Sequence, residues 1–128
     1  MHGTELHWLP RNPLWAEQLI ALTTDSAWDA FVALANARIS ALETVRLDRK
    51  RAALLPQAPA GLPTKPVRLA VLAASTVDHL LPALRVGGLR RGIWVETYTP
   101  DYAQYAQELI HSGSGLHAFR PDAVLFAL

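Results

Sequence analysis

The sequence predicts an α/β protein in which a three-layer parallel sheet follows a helical amino-terminal arm. Three observations predict it. Apolar residues before position 56 recur at helical spacing, and four prolines crowd positions 56–66. After residue 66, short apolar runs alternate with helical stretches, the pattern of consecutive βαβ units.

The arm is expected to span residues 1–55. Asn12-Pro13 reads as an N-cap with proline at the first helical position, opening a short helix through Trp15, Leu19 and Ile20. One longer helix is expected from Asp25 or Ser26. Its stripe runs through Trp28, Phe31, Leu34, Ala35, Ile39, Leu42 and Val45, with Asp29, Asn36, Arg38 and Glu43 opposite. That helix then enters Arg46, Asp48, Arg49, Lys50 and Arg51, a basic run that reads as a solvated helix end. Trp8, Trp15 and Trp28 read as packing anchors between arm and sheet. Pro56, Pro59, Pro63 and Pro66 forbid helix and central strand alike, so residues 56–66 form a connector.

Residues 67–128 read as the first part of the α/β domain. Val67 to Ala73 is an apolar run suited to a strand buried on both faces. A helix from Thr76 to Arg91 carries Val77, Leu80, Leu81, Leu84 and Gly88 on one side and ends at Gly92, a left-handed terminator. Ile93 to Tyr98 is the second strand. Thr99-Pro100-Asp101 opens a third helix that ends near His111, before the loop Ser112-Gly113-Ser114-Gly115. Arg120-Pro121-Asp122 turns into a last strand, Ala123 to Leu128. Because the sequence closes inside an apolar strand, further strands and helices are expected to follow it.

Composition excludes several classes. The chain has no cysteine, which removes disulfide scaffolds, thiolate metal sites and thiol nucleophiles. A net charge of +1 supplies no long-range attraction to nucleic acid or an anionic membrane. Neither partner is expected. No signal peptide or membrane-spanning run is read, so the expected compartment is the cytoplasm. Phosphate-binding glycine loops and Asp-x-Asp pairs are absent, so magnesium-dependent aspartyl phosphoryl transfer has no support in these residues.

In open parallel sheets, ligands bind beyond the carboxyl ends of the strands. The first such end is Ala73-Ala74-Ser75-Thr76. Ser75 stands where a nucleophile or oxyanion donor could act, with Ala74 and Thr76 as substrate contacts. The plainer reading is that Ser75 or Thr76 caps the following helix. An active serine needs a base, and His79 is one turn on without a spacing that aims it back. Thr97, Tyr98, Thr99 and Asp101 end the second strand and are candidates for the same crevice; a polar turn with a cap is again the plainer reading. His111 and His117 flank the Ser/Gly loop at no recognised ligand spacing, and His2 and His7 read as exposed.

Several stretches carry a family resemblance. They are Val67-Arg-Leu-Ala-Val-Leu-Ala-Ala-Ser-Thr-Val-Asp-His-Leu80, Leu84 to Gly92, and Glu96-Thr-Tyr-Thr-Pro-Asp-Tyr102 with Gln104. Ser114-Gly-Leu-His-Ala-Phe-Arg-Pro-Asp122 and Val124-Leu-Phe-Ala-Leu128 complete them, with Leu9-Pro10-Arg11-Asn12-Pro13 and Trp15 upstream. Together they resemble the amino-terminal region of FkbH-like proteins, and His117-Ala-Phe-Arg-Pro-Asp122 is the most specific part. The resemblance implies a parallel sheet of flavodoxin/SGNH-hydrolase-like type, incomplete at its carboxyl end. Behind it the family carries a haloacid dehalogenase-type phosphatase domain with a magnesium-dependent aspartate. Such proteins dephosphorylate a phosphorylated three-carbon acid and load the glyceryl unit onto an acyl carrier protein in polyketide biosynthesis. Where SGNH enzymes have Gly-Asp-Ser, this chain has Ala73-Ala74-Ser75, so only the serine carries over.

The leading expectation is therefore a domain that handles acyl substrate or acyl carrier protein for a downstream phosphatase/acyltransferase. It needs no cofactor of its own, with Mg2+ expected only downstream. A non-catalytic interaction module and an SGNH-type esterase are the rivals.

Overall fold

The computed structural model describes residues 7–100 and 104–127. In order, the elements are α1 (Trp15–Ala21), α2 (Trp28–Ala35), α3 (Ala41–Leu54), β1 (Val67–Ala73), α4 (Leu81–Arg90), β2 (Val95–Tyr98), α5 (Tyr105–Ile110), α6 (Gly115–Phe119) and β3 (Ala123–Ala127). The protein is mixed α/β, with an open three-stranded parallel sheet in the order β2-β1-β3.

β1 occupies the centre because it is the most apolar strand. Ala70, Val71, Leu72 and Ala73 are buried on both of its faces. Ala70 and Leu72 meet Leu116 and Phe119 of α6, together with Tyr98. On the other face, Val71 and Ala73 meet Val77, Leu80, Leu81 and Leu84 around the start of α4. Helices thus cover opposite faces, as right-handed crossovers require when the chain steps to one side of β1 and then to the other. Asp122 fixes the entry to β3: its backbone N–H donates to the Arg68 carbonyl at 2.7 Å, and its carboxylate accepts from the Arg68 N–H at 2.8 Å. Gly88 lets α4 lie close to β2, since a Cβ there would collide with Val95.

The arm packs on the outer side of α4. Trp15, Leu19, Phe31, Leu34, Ile39 and Leu47 form one core with Val86 and Leu89. Asn36 and Arg90 tie the two parts reciprocally. The Asn36 amide donates to the Arg90 carbonyl, and the Arg90 guanidinium donates to the Ala35 carbonyl, both at 2.9 Å.

The single long helix expected from residue 25 is two helices. Ser40 ends the extended break after α2 and starts α3 with a capping box: its hydroxyl accepts from the Glu43 N–H at 3.1 Å, and Glu43 accepts from the Ser40 N–H at 2.9 Å. Leu42, expected on the buried stripe, is 71% exposed as a result. Asn12 does not cap α1 directly. Its side chain accepts from the Leu14 N–H at 3.0 Å in a local turn, and the helix begins at Trp15. Trp15 is buried, with its indole N–H on the Leu34 carbonyl at 2.9 Å, whereas Trp8 is 75% exposed. The connector 56–66 contains no helix or strand, and Gly92 ends α4 at φ 72° as expected. The Ser/Gly loop is shorter than expected, because Gly115–Phe119 form α6. Leu128 and the start of the helix placed at Asp101 lie outside the described residues. No helix among the described residues is long and apolar enough to cross a membrane.

Candidate functional site

Among the described residues, no base stands within hydrogen-bond reach of Ser75 at the carboxyl end of β1. The Ala74 N–H donates to the Ala127 carbonyl at 3.3 Å and ties the chain just beyond β1 to the end of β3. Ser75 and Thr76 follow it, exposed, and neither hydroxyl has a hydrogen-bond partner among the described residues. They do not cap a helix either. Val77 is buried against the sheet, Leu80 turns back onto its carbonyl at 2.8 Å, and α4 starts only at Leu81 with Pro82 in its first turn. The buried valine draws the chain down before a helix can form, so the expected start at Thr76 moves five residues on. His79 lines a separate groove with Leu42, Val45 and Pro82 between α3 and α4, and makes no hydrogen bond to Ser75.

The other candidates disperse. Thr97 and Tyr98 are neighbours in a strand, so they face opposite sides of the sheet. The Thr97 hydroxyl accepts from Arg85 at 2.6 Å on the α4 side. Tyr98 stacks on Phe119 at 5.4 Å and donates to the Glu108 carboxylate on the α5–α6 side. Thr99 donates to the Val71 carbonyl at 2.9 Å, which fastens the end of β2 to β1. Asp101 lies outside the described residues. His117 contacts the Leu109 carbonyl at 3.2 Å, His111 is exposed, and no group of three or more His, Asp or Glu among the described residues could hold a metal.

Two features were missed by the sequence reading. The first lies on the outer side of β2. Asp48 of α3 is only 7% exposed and receives both forks of Arg85, Nε and Nη2, at 2.9 Å each. Arg51 lies one turn on, 3.9 Å from the same carboxylate and 4.6 Å above the ring of Trp94. Burial pushes the Arg51 guanidinium below its ordinary pKa; Asp48 opposes that shift and Arg85 adds to it. Arg68 pairs with Glu96 at 2.7 Å and lies over Phe119. The legible signal was Arg85, which falls four residues after Leu81 and four before Leu89. A cation on an apolar stripe implies a buried partner.

The second is a groove between α1 and α3, lined by Leu19, Ile20, Arg46, Arg49, Lys50 and Ala53. Ile20 is 70% exposed there, and Lys50 reaches its carbonyl at 3.4 Å. The basic run is thus divided. Arg46, Arg49 and Lys50 line this exposed groove, whereas Asp48 and Arg51 turn inward from the opposite side of α3.

No protein-family model, no curated protein and no solved structure matches the chain.

Proposed function

We propose that this chain is the amino-terminal domain of an FkbH-like protein and works there by binding, presenting an acyl carrier protein to a downstream phosphatase/acyltransferase domain. The groove between α1 and α3 carries the reading. It combines three cations with an exposed isoleucine, which suits an acidic helical surface that also offers apolar side chains. The dispersal of Ser75, His79, Thr97 and Tyr98 supports binding over an esterase reading. The strand order β2-β1-β3 agrees with the first three strands of flavodoxin-like sheets, which supports the SGNH-like comparison. In this account the phosphorylated three-carbon acid and Mg2+ belong to the downstream domain, and the protein acts in the cytoplasm.

The test is binding of the 128-residue chain to a holo-acyl carrier protein from the same cell, followed by calorimetry at two salt concentrations. Arg46→Glu with Arg49→Glu is expected to weaken binding about tenfold or more, and added salt to weaken the wild type, because exposed charges are screened. Binding that ignores both changes would move the carrier off this groove. Absence of any binding would leave an interaction module for another partner.

A further inference from the structure

We propose that the pocket on the outer edge of β2 binds a small oxyanion, a carboxylate or a phosphate ester, through Arg51 and Trp94, beside Arg85. It is lined by Arg51, Arg85, Trp94, Glu96, Thr97 and Phe119, among others, and has a volume of ≈ 300 Å³. That is enough for a small acid, at the lower end of ligand-site sizes.

Unpaired donors indicate what the pocket lacks. Buried polar atoms in folded proteins almost always find partners. Among the described residues, the buried side-chain atoms without one are Trp28 Nε1, Arg51 Nε and Trp94 Nε1. Two of them, Arg51 and Trp94, line the pocket, with Arg51 over the Trp94 ring; Trp28 lies behind, its ring 5.9 Å from that of Trp94. Each is a donor, so the missing partner is an acceptor. A cation would leave them unpaired.

The charge balance agrees. Arg51, Arg68 and Arg85 face Asp48 and Glu96, which leaves one positive charge uncompensated. Arg85 and Arg68 are committed to carboxylates. Arg51 is the less engaged: it is 3.9 Å from Asp48 and holds only the Leu55 carbonyl, at 3.4 Å. The register Val67↔Val95 and Leu69↔Thr97 directs the backbone of Trp94, Glu96 and Tyr98 toward β1. The N–H and C=O groups of Val95 and Thr97 therefore both face the open edge, so the backbone there offers donors and acceptors alike. The site lies across α3 from the carrier-protein groove and does not depend on that reading.

The test is a ¹H–¹⁵N titration of the 128-residue chain with sodium benzoate and, separately, sodium phosphate at constant ionic strength. The Arg51 Nε–H and Trp94 indole signals are expected to shift together and saturate, with a Kd of about 1 mM or tighter. Saturation by benzoate alone identifies a carboxylate site, by phosphate alone a phosphate-ester site, and by both a general oxyanion site. Arg51→Met should abolish saturation. Glu96→Gln removes a half-exposed negative charge from the pocket wall and should tighten binding roughly fivefold. This second variant decides the matter if Arg51→Met does not fold. Shifts that stay linear with both anions, or Glu96→Gln that leaves affinity unchanged or lower, would overturn the proposal.

Discussion

Asp48 and Arg85 show how much one pair of side chains can hold together. The pair joins the arm to α4, and Arg85 passes the link on to Thr97 of β2. Losing one partner of a buried pair strands the other charge, so Asp48→Ala is expected to cost about 3 kcal/mol in urea unfolding. Asp48→Leu combined with Arg85→Met should cost less than either single change, because no charge is left unpaired. Additive losses would show that the two residues act separately. At this scale the sequence was a partial guide. It placed Ser75 beyond β1 and Thr97 in the second strand, where they are found. It did not show that Thr97 serves Arg85, because that partnership joins residues from separate elements and leaves no spacing to read.

At the scale of elements, periodicity located most helices and strands, and capping decided their ends. The arm's apolar period continues through Ile39 across a real break, so it suggested one helix where there are two. The Ser40-Ala-Leu-Glu43 capping box was the available signal for the boundary. Ser40→Ala should lower stability by about 1 kcal/mol, and Ser40→Gly by only a few tenths, in thermal or urea unfolding. Equal losses would mean that the hydroxyl contributes little. The start of α4 was displaced for the converse reason. Val77 is buried against the sheet, and tertiary burial overrode a serine and threonine that were locally suited to cap. Gly92 was legible because its left-handed conformation is a local requirement, independent of what packs around it.

For the whole molecule, alternation of apolar runs with helical stretches was enough to give a parallel sheet, since βαβ connections leave few alternatives. The strand order was not written in any one segment; it follows from which faces α4 and α6 cover. β3 shows what the order implies. It pairs with β1 along one side, while Val124, Leu125 and Phe126 remain exposed. The domain carries a basic groove on the arm and an arginine-lined pocket at β2, and among the described residues Ser75 has no base beside it. The proposed function is that it contributes binding and no bond-breaking. The most direct test is single-turnover loading of an acyl carrier protein by the full-length protein carrying Ser75→Ala. The account predicts a rate within about twofold of wild type, less than 0.5 kcal/mol of barrier by transition-state arithmetic. A loss of about a hundredfold or more, with folding intact, would make Ser75 catalytic and contradict it.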